Sequence, residues 1–241
     1  MVIMVNALTV VRLSRAVLHF LPVLAAILFL GLTQSGCVST PARLTLDDVY
    51  RPDPKNPRAT IDATPEEARA SLSVIRRGQP VLVTVPMDLE IGDEISVRPP
   101  STATIVFPEG HAVWLMPNTT VRLGSVIIDK IGQIFVRARG LFKVETQYWT
   151  AGVKGTDFYV QVTGNQTATV GVLEGSIGLE SKTGGWKPTD VNENEVVTLD
   201  RDRAPSKQLK QRAELDAILQ LMRVRPPRIP LPPSPPLRSP R

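Results

Sequence analysis

The chain has 241 residues, 42% of them apolar, with two histidines, a single cysteine and a net charge of +5. One cysteine excludes an intramolecular disulfide framework, and the length has room for one domain with a small appendage. The charge is uneven: residues 37–200 carry 16 Lys and Arg against 20 Asp and Glu, and residues 201–241 carry 10 against 3, so the basic character describes the tail. Nucleic acid is therefore not an expected partner of the domain; an exported basic tail would sooner meet anionic lipid or wall polymer.

Arg12 and Arg15 precede an apolar run from Val17 to Leu32, followed by small and polar residues up to Cys37, the three-part layout of a secretory signal over residues 1–36. The run is shorter than the roughly 20 residues of a spanning helix, and His19 and Pro22 interrupt it. An uncleaved N-terminal anchor is the alternative. A lone free thiol is a liability in an oxidising compartment, and a lipid-bearing cysteine removes the oddity. Ser35-Gly36-Cys37 resembles the end of a bacterial lipobox, with Gln34 where an aliphatic residue is usual, so Cys37 is the expected lipidation site. Several acyl chains, at ~0.8 kcal/mol per buried methylene, would anchor the mature protein in a membrane. Val38 after the cysteine favours an outer-membrane location on the periplasmic side.

Residues 37–70 are polar and broken by Pro41, Pro52, Pro54, Pro57 and Pro65, which predicts a tether. Within it, Thr64 as N-cap, Pro65 at the first helical position and Glu66 and Glu67 in the first turn predict a short helix. Strand-like runs follow at close spacing: 71–75, 81–85, 94–97, 102–107, 112–115, 120–123, 134–138, 141–146, 148–152, 157–162, 167–173, 176–179 and 195–199. Alternation places Ile105, Phe107, Val113, Leu115, Val121 and Leu123 in one inward set, and Phe142, Val144, Phe158, Val160 and Val162 in another. From Ser206 to Arg223 the period changes, with Leu215, Ile218, Leu219 and Met222 at helical spacing, Ser206 as cap and Pro226 as stop. Residues 226–241 hold 8 prolines and read as a disordered, polyproline-like tail. The expected fold is all-β: stacked short antiparallel strands and hairpins forming a β-roll, short solenoid or sandwich over residues 71–200, with one C-terminal amphipathic helix within residues 201–225.

The strand-rich stretch also carries a pattern of motifs. Val144-Glu145-Thr146 ends a strand, Gly155-Thr156-Asp157-Phe158 makes a corner, and Val172-Leu173-Glu174-Gly175-Ser176-Ile177 makes a hairpin. Upstream stand Ile91-Gly92-Asp93-Glu94-Ile95, a hairpin from Thr102 to Leu115 and the corner Met116-Pro117-Asn118-Thr119. In this order they resemble the FecR domain of bacterial envelope proteins, over roughly residues 72–199. Glu109 and His111 depart from the usual Asp and Ser on either side of Gly110, which keeps the turn. The resemblance implies a periplasmic sensing or scaffolding domain that works through protein contacts. In such signalling proteins it passes a signal through a membrane helix to an anti-sigma segment, and the residues before the apolar run here are too few to hold one.

No catalytic, metal or cofactor site is expected. With His19 in the predicted signal, His111 alone gives little basis for a zinc cluster or a Ser-His-Asp triad. A carboxylate pair drawn from Asp93, Glu94, Glu109, Glu145, Asp157 or Glu174 would suit a cell-wall hydrolase, but acidic residues beside glycine are more often turn chemistry. Tyr148, Trp149 and Trp186 are the aromatic candidates for a partly exposed partner surface. The expected function is that of a lipid-anchored, non-enzymatic envelope protein binding another envelope protein or a cell-wall polymer. A regulator with an uncleaved N-terminal helix and a carboxylate hydrolase are the alternatives.

Overall fold

The computed structural model describes residues 43–124, 127–163 and 167–228. Cys37, the signal segment and most of the proline-rich tail lie outside the described residues. The chain order is β1 (Thr45–Pro52), β2 (Thr60–Asp62), α1 (Pro65–Ser71), β3 (Leu72–Arg76), β4 (Gln79–Val81), β5 (Met87–Asp88), β6 (Glu94–Val97), β7 (Thr102–Val106), β8 (Ala112–Leu115) and β9 (Thr119–Leu123). It continues with β10 (Ile127–Arg137), β11 (Leu141–Glu145), β12 (Trp149–Lys154), β13 (Asp157–Val162), β14 (Ala168–Glu174), β15 (Ser176–Ser181), β16 (Thr189–Asn192), β17 (Glu195–Leu199), β18 (Ser206–Leu209) and α2 (Arg212–Met222). The protein is thus mostly β, as its sequence predicts, with a large, mostly antiparallel sheet system and two helices.

The strands form two sheets joined through β10. The first runs β2-β1-β7-β8-β10-β13-β14-β17-β18, every pair antiparallel. The second runs β4-β3-β6-β9-β10-β11-β12-β15-β16, antiparallel except for the parallel pair β10–β11. Residues 127–131 of β10 pair with β9, and residues 132–137 pair with β13, so the strand leaves one sheet and enters the other at Gly132. Gly132 has φ +110°, and a Cβ there would lie 2.5 Å from Thr119 Cα, so the crossing needs glycine both for its dihedral and for its space.

Between the sheets lies one core. Val74, Ile95, Val97, Val121 and Leu123 face Ile105, Val113, Leu115, Ile134, Val136, Phe158, Val160, Val170 and Val172 across it. Both inward sets read from the alternation are here, with Phe107 and Val162 partly buried at its margin. The first sheet is covered on its outer face as well. Trp114, Phe135, Tyr159, Leu173 and Val196 pack there with Leu215 and Met222 of α2, so this sheet's strands carry apolar residues on both faces. Gly171 belongs to that arrangement, since a Cβ at Gly171 would overlap the Tyr159 ring.

Three expectations are corrected. Most of the predicted tether is folded: β1 and β2 pair with each other, and Leu46, Val49 and Tyr50 of β1 are buried. Of the prolines that suggested a tether, Pro52 ends β1, Pro54 and Pro57 lie in the β1–β2 connection, where an unpaired nitrogen costs nothing, Pro65 opens α1, and Pro41 lies outside the described residues. The strand expected over 81–85 stops at Val81, leaving Leu82 exposed ahead of the Val85-Pro86 bond. Ser206 starts β18 instead of capping a helix, and α2 begins only at Arg212, after Gln211, because residues 206–209 pair with β17. The short N-terminal helix forms as read: Thr64 Oγ1 accepts the Glu67 N–H at 3.2 Å, and Glu67 Oε2 accepts the Thr64 N–H at 2.9 Å, a reciprocal capping box.

Candidate functional site

The motif residues have structural work. Asp93 is fully buried and takes a two-pronged Arg76 guanidinium, Nε to Oδ1 at 2.9 Å and Nη2 to Oδ2 at 2.8 Å, together with the Glu90 N–H at 2.9 Å. Burial pushes its pKa up, but the Arg76 fork and the Glu90 N–H outweigh it and hold the carboxyl below the usual range. Asn118, at φ +62°, turns the chain so that Thr119 meets β10. Gly155-Thr156 carries the chain from the second sheet into the first, and Gly175 carries it back. Thr156 Oγ1 donates to the Ser176 carbonyl at 3.0 Å, and a Cβ on Gly175 would fall 2.9 Å from that oxygen. A third crossing, at 138–140, lies alongside: Ala138 N–H donates to Thr156 O at 2.9 Å, and Gly155 N–H to Gly140 O at 3.0 Å.

Four of the six carboxylates considered for catalysis are held in separate ion pairs, and Glu109 and Glu174 are exposed beside their turn glycines. Asp93 pairs with Arg76, Glu94 with Lys130, Glu145 with Lys182 at 2.6 Å and Asp157 with Arg137 at 2.9 Å. Among the described residues, no three His, Cys, Asp or Glu side chains gather into a metal-binding cluster.

Beside the three crossings opens a cleft of about 710 Å³, lined by Leu44, Ile91, Phe107, His111, Leu141, Phe142, Lys143, Lys154 and Ser176. Gly152 and Gly178, opposite each other on β12 and β15, also line it and leave that stretch of wall without side chains. Its apolar side is an aromatic cluster: Phe107 meets Phe142 edge-on at 5.3 Å between ring centres, and His111 lies 4.8 Å from Phe142. His111 Nδ1 accepts the Arg139 N–H at 2.9 Å, which a neutral ring protonated at Nε2 can do. Burial pushes the His111 pKa down, against the pull of Glu109. At the rim Ile91 is 74% exposed and Leu141 80% exposed, an apolar pair that folding leaves in water.

The aromatic candidates are not a joint surface. Trp149 is 2% exposed and Trp186 8% exposed, both within the core between the sheets, so neither offers a face to a partner. Tyr148 is half-buried and stacked by the Arg201 guanidinium at 5.3 Å. Tyr148 and Trp149 border a second recess of about 550 Å³ with Lys130 and Lys182, and Trp186 does not reach it. Sequence reading missed the cleft. Its signal was present in the departure of His111 from the family pattern and in Leu141, an aliphatic residue out of phase with the inward set Phe142 and Val144.

The start of the basic tail docks on the fold. Arg225 and Arg228 reach Asp62 at 3.0 and 2.7 Å, and Arg228 also reaches the buried Asp48 at 2.8 Å. Burial raises the Asp48 pKa above the usual carboxylate range, with the two arginines pulling the other way.

None of the curated proteins matches this chain. Two crystal structures, at 1.65 and 2.50 Å, described as a "putative anti-sigma factor" from Parabacteroides distasonis, are similar at 20% identity with a TM-score of 0.45. The likeness covers 52% of this chain and 64% and 63% of those chains, so the matched part spans less than two thirds of either. Residues 93–178, from the buried Asp93 to the β15 glycine of the cleft wall, match the family model described as FecR protein, and the matched stretch occupies the centre of both sheets.

Proposed function

We propose that this is a lipid-anchored, non-enzymatic envelope protein whose FecR domain binds another envelope protein at the cleft and takes part in signalling. One observation carries the reading: the FecR crossings build a rigid end to the two sheets, and beside it stand the exposed Ile91 and Leu141 over the Phe107–His111–Phe142 cluster. Burying one such aliphatic side chain is worth about 1.5–3 kcal/mol, which suits a protein partner better than a polar wall polymer. Lys143 and Lys154, against the single carboxylate Glu109 on the same cleft, favour a partner with acidic groups around its apolar anchor. Anchoring through Cys37 on the periplasmic side of the outer membrane would hold this surface at the membrane.

A photocrosslinker placed at Leu141 in intact envelopes tests the reading. A discrete adduct with one envelope protein, abolished by Ile91→Asp, is the expected result. Absence of any adduct, together with sedimentation on purified cell walls, would replace the protein partner by a polymer. Mass spectrometry of the mature N-terminus tests the anchor, and an unmodified Cys37 would remove it.

A further inference from the structure

The C-terminal segment after α2 is held on the first sheet by aromatic donors to its carbonyls and by carboxylates that take its arginines. Tyr50 Oη donates to the Arg223 carbonyl at 3.0 Å, and Trp114 Nε1 donates to the Arg225 carbonyl at 2.8 Å. That second carbonyl belongs to the residue before Pro226, and a residue in that position is driven to extended geometry. Arg225 lies over the Tyr50 ring at 4.9 Å and donates from both Nη atoms to Asp62 Oδ1 at 3.0 Å. Arg228 reaches Asp62 Oδ2 at 2.7 Å, and its own N–H donates to Asp47 Oδ2 at 2.7 Å. The two arginines are three residues apart across Pro226-Pro227, the spacing that a polyproline II helix places on one side.

An aromatic platform that donates to backbone carbonyls, one of them directly ahead of proline, flanked by carboxylates for arginine, is how folded domains read extended proline-rich peptides. The fit of the chain's own segment is incomplete. Asp48 is 2% exposed, and Arg228 Nη2 approaches its Oδ1 to 2.8 Å off the line of a hydrogen bond, so this buried oxygen makes none among the described residues. A buried carboxylate oxygen held by an ion pair without an aligned hydrogen bond marks an occupant that a better-aligned guanidinium can replace.

We propose that the Tyr50, Trp114, Asp48 and Asp62 face is a receptor site for an extended arginine–proline peptide of a partner protein, closed in the resting chain by its own residues 223–228. This goes beyond the cleft reading, because it uses the outer face of the other sheet and different residues.

The test uses the full chain and a fluorescein-labelled peptide with the sequence of residues 223–228, read by fluorescence anisotropy. The Arg225→Ala/Arg228→Ala chain, with its internal segment weakened, should bind the peptide about ten-fold tighter than the unaltered chain. Adding Asp48→Asn and Asp62→Asn should remove that gain. A peptide with lysine at both arginine positions should bind about ten-fold more weakly, since a point charge does not replace the planar fork. Equal affinity of the unaltered and arginine-substituted chains, with unchanged circular dichroism, would overturn the proposal. If the substituted chain does not fold, a nitroxide-bearing peptide added to the unaltered chain decides. Selective broadening of the Trp114 indole N–H resonance supports the site, and no broadening at millimolar peptide overturns it.

Discussion

Thr119 Oγ1 and the backbone of Gln133 bond each other twice: the hydroxyl accepts the Gln133 N–H and donates to the Gln133 carbonyl, both at 3.0 Å. This double contact lies one residue after Gly132, where β10 passes from one sheet to the other, and it uses the residue that ends the Pro117-Asn118-Thr119 corner. Replacing Thr119 by Val leaves the half-buried Gln133 N–H without its acceptor, while the Gln133 carbonyl keeps the Met116 N–H at 2.9 Å, and should cost about 1 kcal/mol. Replacing Gly132 by Ala should cost at least about 2 kcal/mol, because a positive φ and a backbone overlap with Thr119 act together. Urea denaturation midpoints check both, with an unchanged slope for each variant.

Asp93 ties the start of the stretch that matches the FecR model to β3 through Arg76. Its folded pKa is lowered, so its stabilising effect is complete above the unfolded value of ~3.9 and is lost as the pH falls through the lower folded value. Asp93→Asn should cost about 3 kcal/mol at neutral pH, since it leaves the Arg76 fork without its charge. The same variant should show a flatter acid limb when thermal midpoints are followed from neutral pH to about pH 3.

Trp149 and Leu141 should separate stability from binding. Trp149→Ala, in the core, should lose about 3–5 kcal/mol of stability and abolish folding if the domain has little to spare. Leu141→Asp, at the cleft rim, should shift stability by no more than about 0.5 kcal/mol and still prevent crosslinking from a photocrosslinker moved to the exposed Lys143 of the same cleft. Calorimetry of the two variants beside the crosslinking assay gives both readings.

Tyr50 provides an independent check on the docked C-terminal segment. Tyr50→Phe keeps the buried ring and removes the donor to the Arg223 carbonyl, so it should cost about 1 kcal/mol overall. Amide hydrogen exchange should rise at Val224 and Arg225 and stay unchanged in β13 and β14.

The strands from β6 onward were legible where their alternation is clean and their turns carry glycine or asparagine: β6, β8, β13 and β17 fall on the predicted residues. β1 was hidden by the prolines around it, although Leu46, Val49 and Tyr50 gave it a buried face. β18 was hidden by its composition, since Ser206, Lys207, Gln208 and Leu209 are exposed and owe their strand form to pairing with β17 alone. The buried state of Trp149 and Trp186 was not legible, because it depends on which sheet lies opposite. The docking of Arg225 and Arg228 was not legible either, since their carboxylate partners lie more than 160 positions earlier in the chain.

Because a single strand serves in both layers, backbone hydrogen bonds run from β18 to β16 with no break at which the halves could part. Such a domain has no hinge between its layers and should melt in one step. Whatever settles on the cleft or on the tail-covered face would then meet a stiff body, and any message it carries must travel as a change in what is bound there, not as a change in shape.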